Sequence, residues 1–542
     1  MVYAVARHII TPLADTEEGN VNAILTGRTA LACHTDVRGE PLQEPVTASL
    51  FASLPHIEGY TAFESLCIEA VQTAVTGKGI DIQSNRCVFI MSSTKGEIWE
   101  SMAQTAEHIS SFFGNTEPPV VVSTACTSGV SAQIAAYRQL EAGMYDTAVL
   151  FGCDLQNEFI ISGFQSFHAL SANPCRPFDR SRDGLNPGEA VAVLVLSTRP
   201  PQTGQVWRMA GGSVHNDANH ISGPSRTGEG SLRCLQDMAR YADNKDLAFV
   251  SVHGTGTPYN DEMESIALHR AGLDETPVSA LKGYYGHTMG AAGLLETILS
   301  MAAVEKGIIL PSKGFTEQGT TYTVNLSSDV RTTDRQSFVK LLSGFGGVNA
   351  AVCWTHTEDI TEADCVRKAD KQWNTVAEYS IPHDEPVETL YRREISDYPK
   401  FYKMDRLSRL GFAAIQMLLK RAKAQKPAFQ LDTERCGILL ANHWSSVHND
   451  RQYQQTIADK QNYFPSPALF VYTLPNIVTG ETAIYNHLFG ETMFYVLPDE
   501  QKMDKLVTAT IRQSDCKQLI TGWVEYEGEN NYQANVRLIE IQ

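Results

Sequence analysis

Residues 120–152 read VVVSTACTSGVSAQIAAYRQLEAGMYDTAVLFG. Two short apolar runs, 120–123 and 147–152, are bounded by turn residues and predict buried strands. Between them, residues 129–142 are mostly small and apolar, with Glu141 and then Gly143 at the end, the pattern of a helix that stops on a glycine. A strand–helix–strand unit with apolar strands predicts an α/β fold whose sheets are covered on both faces. The turn that opens the helix, Ser123-Thr124-Ala125-Cys126-Thr127-Ser128-Gly129, carries a cysteine. A helix N-terminus offers free N–H groups and partial positive charge, which favour a thiolate over a thiol. Taken alone, such a turn is more often a small residue buried at a strand end.

The strand pattern continues outward at residues 190–197, 206–212 and 247–253. Residues 339–343 and 350–356 flank a glycine turn. A charged, irregular stretch at 357–375 predicts a linker, with regular structure resuming near Lys403. The chain then repeats an order of features. Helix 63–75, a polar turn and Arg86-Cys87 before an apolar run are matched by helix 403–422, a polar turn and Arg435-Cys436 before an apolar run. Such similarity predicts a duplicated unit.

Three further motifs lie in the first part. His253-Gly254-Thr255-Gly256-Thr257 ends a strand, with Asp261 and Glu264 following. Lys282-Gly283-Tyr284-Tyr285-Gly286-His287 leads into a Gly/Ala-rich helix start. Gly344-Phe345-Gly346-Gly347 forms a turn able to bring a backbone N–H against a reacting carbonyl. Each alone has a bland meaning: a polar loop, a helix-packing segment, a common glycine turn.

Together and in this order, the four motifs resemble the β-ketoacyl synthase branch of the thiolase-like superfamily. Ile10-Thr11-Pro12-Leu13, Arg176-Pro177-Phe178-Asp179 and Asn216-Asp217-Ala218 add to the resemblance, which covers about residues 1–356. It implies a thiolase-like αβαβα layered fold and decarboxylative condensation of an acyl thioester with a malonyl thioester. Cys126 would be the nucleophile and His253 and His287 the enolate-stabilising pair. Lys282 would orient the histidines. The N–H groups of Cys126 and Phe345 would form the oxyanion hole, with Phe345 also gating the acyl pocket. Thr255 and Thr257 would contact a phosphopantetheine arm, with Glu264 and Asp261 in support. No metal and no bound cofactor are expected, since phosphopantetheine arrives on an acyl carrier protein. Thiolases, the nearest competitor, would need a second cysteine late in the chain.

The segment 110–119, SSFFGNTEPP, is shorter than the family's usual run into the nucleophile strand. The longer kind of segment appears at 465–492 with Pro475-Asn476, but at the following nucleophile turn the chain reads Val496-Leu497-Pro498-Asp499-Glu500. Residues 376–542 therefore resemble the N-terminal half of a second synthase without its cysteine, a reduced chain-length factor joined to the catalytic unit 1–356 by the linker 357–375. Cys516 reads as a surface thiol. The alternatives are a non-catalytic carrier-binding scaffold, or a chain-length-factor-type partner of another synthase. The family suggests a homodimer or a heterodimer with another synthase subunit, through the strand beside the nucleophile.

The composition agrees with an ordinary globular enzyme. The 542 residues are 43% hydrophobic and 20% charged, with a formal net charge of −18. That acidity argues against nucleic acid as a partner. Eleven cysteines without a CxxC pair predict reduced thiols rather than a disulfide framework, with Cys87, Cys153, Cys353 and Cys436 buried. No apolar run approaches the length of a membrane span, and the start has no signal-peptide pattern, so a soluble cytoplasmic protein is expected.

Overall fold

The computed structural model describes residues 1–201, 206–357, 371–382 and 386–542. Most of the predicted linker lies outside the described residues. Its end is corrected: the strand Trp373–Ile381 already includes Thr375, and the helix Val387–Glu394 also precedes Lys403. Trp373–Ile381 buries only Ala377 and Ile381 and is held as an edge strand by Asn531–Ile541, a long-range pairing that a local reading does not contain.

One continuous sheet runs through the molecule. Its strands, in spatial order, are Val278–Ser279, Leu247–Ser251, Ser337–Gly344, Val348–Thr357, Val206–Asn216, Val2–Ile10, Ala190–Ser197, Thr147–Asp154, Cys87–Ser92, Val120–Val122, Thr492–Val496, Cys436–Asn442, Gln518–Gly528, Asn531–Ile541 and Trp373–Ile381. The sheet folds back around two helices, Ser128–Glu141 and Ala292–Glu305, which touch strands of both arms. Helix Ala62–Val75 covers one outer face, and Glu229–Met238 with Pro258–Arg270 the other, giving the expected αβαβα layers. The central helices can approach closely because Gly129 and Gly293 face each other. A Cβ on Gly129 would lie 2.9 Å from Gly290 O, and one on Gly293 2.4 Å from Val130 N.

The repeat is present in three dimensions. In the first half Val2–Ile10, Ala190–Ser197 and Thr147–Asp154 pair antiparallel, and Cys87–Ser92 and Val120–Val122 then add in parallel. In the second, Trp373–Ile381, Asn531–Ile541 and Gln518–Gly528 pair antiparallel, and Cys436–Asn442 and Thr492–Val496 add in parallel. The copies meet antiparallel, with Tyr495 opposite Val122 and Val496 opposite Val121. The sheet edge beside Cys126 is thus filled by the chain's own second half. The short 110–119 segment passes from the helix Met102–Phe112 directly to Val120–Val122, and the helices Pro467–Val471 and Ile477–Asn486 of the second half pack against the first.

Cys87, Cys153, Cys353 and Cys436 are buried as expected. Cys516 is not a surface thiol: it is 7% exposed and packs against Gly437, since the loop that carries it closes over the sheet.

Candidate active site

The turn after Val120–Val122 is locked by its own hydroxyls. Thr124 N–H donates to Ser128 Oγ at 2.9 Å, Ser128 Oγ–H donates to Ala125 O at 2.6 Å, and Thr127 Oγ1–H donates to Thr124 O at 2.7 Å. Ala125 sits at φ 52°, a strained value for a residue with a Cβ, and so delivers Cys126 on a tight 3-10 turn ahead of the helix.

His253 is held through its backbone. Glu264, on the helix that follows, accepts from His253 N–H at 2.6 Å and Gly254 N–H at 2.8 Å. Asp261 accepts from Thr255 N–H at 3.0 Å, Gly256 N–H at 3.1 Å and Phe178 N–H at 2.8 Å. Both carboxylates therefore shape the loop rather than face the cavity. His287 donates its backbone N–H to Asn186 O at 2.7 Å, and its Nδ1 accepts from Met289 N–H at 3.3 Å. That bond places the ring proton on Nε2, which is buried without a protein partner and is thereby free to donate to a bound carbonyl.

Cys126 Sγ and one nitrogen from each of His253 and His287 lie within 4.8 Å of one another. The two rings stand edge-on, centroids 5.1 Å apart. They line a cavity of about 350 Å³ whose wall includes Thr255, Thr257 and Phe345. Thr255 and Thr257 hydroxyls share a hydrogen bond of 2.9 Å. The trio also has the donor chemistry of a metal site, but the ammonium groups of Lys282 and Lys340 lie behind it and oppose a cation there.

Lys282 reaches the histidines through the main chain: Nζ donates to His253 O at 2.6 Å and to Glu296 at 2.8 Å. Sequence reasoning missed its partners. Glu296 also bridges to Lys340, whose Nζ donates to Val252 O at 2.9 Å. All three are almost fully buried. The signal was present: a lysine inside the apolar run 337–344, and a glutamate inside an otherwise apolar helix, each need a partner when buried. Asp154 was missed as well. It ends a strand and gathers Ser93 Oγ–H at 2.6 Å, Thr94 N–H at 3.1 Å and Gly290 N–H at 2.7 Å.

Two lysines around one glutamate leave net positive charge beside dry imidazoles. Burial first, and Lys282 second, hold both histidines well below their ordinary pKa, so they are neutral. Burial pushes the Cys126 thiol up to about 12, against the downward pull of Lys282. Desolvation thus opposes the thiolate that the helix N-terminus favours, and outweighs the positive end of a helix that begins two residues later.

The second half backs the cavity wall. Asn476 Nδ2–H donates to Phe345 O at 2.7 Å, and a Cβ on Gly480 would lie 2.5 Å from Gly346 O. Phe470 packs edge-on to Phe164 at 5.5 Å and 6.2 Å from Phe167, and both of those rings line the cavity.

Residues 61–201 match the model of the "Beta-ketoacyl synthase, N-terminal domain" and residues 208–316 that of the "Beta-ketoacyl synthase, C-terminal domain". Residues 61–201 and 208–316 thus resemble, in order, the two domains of a β-ketoacyl synthase. The synthase unit is 30% identical over 259 residues to nodulation protein E of Rhizobium leguminosarum bv. trifolii, covering 46% of this chain and 64% of that protein. It is 26% identical over 388 residues to a putative polyketide β-ketoacyl synthase 1 of Streptomyces cyaneus, covering 61% of this chain and 92% of that one. The chain thus spans somewhat under two thirds of nodulation protein E. Among solved structures, the PfaC keto synthase–chain length factor matches 99% of this chain and 78% of its own, with a TM-score of 0.79 at 13% identity. The Xenorhabdus doucetiae ketosynthase ApeO, solved with its chain length factor ApeC, matches 66% of this chain and 98% of its own, with a TM-score of 0.59 at 23% identity. Fold similarity thus extends over both halves, beyond the two family models.

Proposed function

We propose that the chain is an acyl-carrier-protein-dependent condensing enzyme, an acyltransferase of the 3-oxoacyl-[acyl-carrier-protein] synthase type. The observation that carries this reading is the convergence of Cys126, His253 and His287 on one cavity. In the first step Cys126 attacks an acyl thioester. The carrier's C–S bond breaks, the new thioester forms on Sγ, and the thiol proton ends on the departing pantetheine sulfur. The backbone N–H groups of Cys126 and Phe345 would hold the oxyanion. In the second step a malonyl thioester loses CO2. The electron pair of the broken C–C bond becomes an enolate, whose oxygen accepts hydrogen bonds from neutral His253 and His287. The enolate carbon then attacks the acyl carbon, the bond to Sγ breaks, and the released thiolate takes up one proton from solvent water. Both imidazoles must be neutral to sit beside Lys282, and His287 presents Nε2–H. No bound cofactor is invoked. Phosphopantetheine comes with the carrier, against Thr255 and Thr257.

The cysteine-less second half is read as a fused chain-length factor. The PfaC keto synthase–chain length factor, which matches 99% of this chain, supports the reading of the second half, and a ketosynthase solved with its acyl-carrier protein supports a carrier partner. A fused partner favours a specialised polyketide or polyene pathway, such as aryl polyene assembly, over housekeeping fatty acid synthesis. Any further homodimer or heterodimer contact would use another face. Among the described residues no helix is long and apolar enough to cross a membrane, and the unpaired thiols suit a reducing cytoplasm. A pure carrier-binding scaffold would have no need of the cysteine and both histidines.

Intact-mass analysis after incubation with acyl-pantetheine thioesters of graded length tests the reading. An acyl increment on the wild type that is absent from Cys126→Ala supports it; no increment at any length contradicts it.

A further inference from the structure

Lys95 and Asp450 are buried charges that neither reaction step uses. Lys95 follows the Cys87–Ser92 strand, and Asp450 lies on the helix Val447–Ala458 of the second half. Lys95 Nζ donates to both Asp450 oxygens at 2.8 Å and to Ser446 Oγ at 3.2 Å, and its side chain is 5% exposed. Beside them lie Phe159, 5.7 Å from Nζ to its centroid, the Asp154 carboxylate and the charge of Arg451. Taking two charges out of water costs several kcal/mol each, and apolar side chains of similar volume commonly join two surfaces as well or better. Adhesion alone therefore does not account for an ion pair here. What it adds is a fixed direction.

That direction leads into the site. The backbone N–H groups of Thr94 and Lys95 donate to Asp154 at 3.1 and 3.3 Å, and Ser93 Oγ–H donates to it at 2.6 Å. Asp154 in turn accepts Gly290 N–H at 2.7 Å. Gly290 follows Met289, whose N–H fixes the His287 tautomer and whose φ of 49° leaves little freedom to relax. We infer that Lys95 and Asp450 are positioning residues through which the second half holds the loop 93–96, and by way of Asp154 the 289–290 backbone, where His287 meets the malonyl carbonyl. The inference rests on the condensing reading of the site.

The test uses the full chain and three variants: Asp450→Asn, Lys95→Met, and the double Lys95→Met/Asp450→Leu, which removes both charges while keeping apolar volume. Two half-reactions are followed. Acylation of Cys126 by acyl-pantetheine is read by intact mass, and CO2 release with condensation on malonyl-pantetheine is read on pre-acylated protein. The expected result is a double variant that melts near the wild type and acylates within about 3-fold of it, yet condenses at least ~10-fold more slowly, because displacement of a catalytic group by about 1 Å is enough for that. Should the double variant not fold, Asp450→Asn, nearly isosteric, carries the same comparison. Equal condensation by a folded variant, or parallel loss of both half-reactions with the folded fraction, overturns the inference while the wild type still condenses. A folded wild type that takes no acyl group removes the condensing reading, and the inference falls with it.

Discussion

The side-chain amide of Asn476, in the second half, donates at 2.7 Å to the carbonyl of Phe345, in the turn that faces Cys126. One hydrogen bond thus ties the cysteine-less half to the backbone proposed to hold the oxyanion. The same half fills the sheet edge beside Cys126, since Tyr495 and Val496 pair with Val122 and Val121. Cut at residue 357, the chain would expose that strand edge and the apolar surface under it. Residues 1–357 expressed alone are expected to be insoluble or to self-associate; a stable, active monomer by size-exclusion chromatography would contradict this.

Glu296 neutralises part of two buried ammonium groups, Lys282 and Lys340. Glu296→Gln leaves both without a counter-charge. The expected loss is about 3–5 kcal/mol of unfolding free energy, the usual cost of removing one member of a buried pair. Urea denaturation measures it, and a loss below about 1 kcal/mol would show that the network is not buried as described.

Burial raises the pKa of the Cys126 thiol to about 12. Alkylation by iodoacetamide should therefore keep accelerating with pH, about tenfold per unit, beyond pH 9. A plateau near neutral pH would mean that the helix N-terminus prevails over desolvation.

His253 and His287 stay neutral when folded, whereas in the unfolded chain each binds a proton near pH 6.5. Between their lowered folded pKa and about 6.5 the unfolded state therefore holds more protons, so stability is full above that range and lost as pH falls through it. Denaturant titrations from pH 7.5 to 5 should show this slope, and the double variant His253→Asn/His287→Asn should flatten it. An unchanged slope would contradict the assignment.

Phe470 backs the aromatic wall made by Phe164 and Phe167. Phe470→Ala should cost about 3–5 kcal/mol and open space behind that wall. The mass assay should then show longer acyl groups on Cys126 than the wild type takes; an identical length preference would place the end of the pocket elsewhere.

Much of this was legible in the sequence. The run 120–152 carried the strand–turn–helix that presents Cys126, and the Arg-Cys steps at 86–87 and 435–436 marked equivalent strands. Two kinds of feature were not legible. The network around Lys282 is set by tertiary packing: its partner Glu296 lies 14 residues away, and Lys340, the other lysine on Glu296, comes from the strand Ser337–Gly344, with no spacing rule joining them. The upward shift of the Cys126 thiol was not legible because a local motif supplies the helix charge but not the burial, which depends on tertiary packing. Cys516 was misjudged for the same reason.

The most direct measurement is a single turnover on the full chain, with protein pre-acylated on Cys126 mixed with malonyl-pantetheine. Release of one CO2 per acyl group, with a β-ketoacyl product longer by two carbons and loss of both in His253→Asn/His287→Asn, is the result predicted here. An acyl group that remains on Cys126 or is only hydrolysed, with no CO2 evolved, would contradict the assignment of a condensing enzyme.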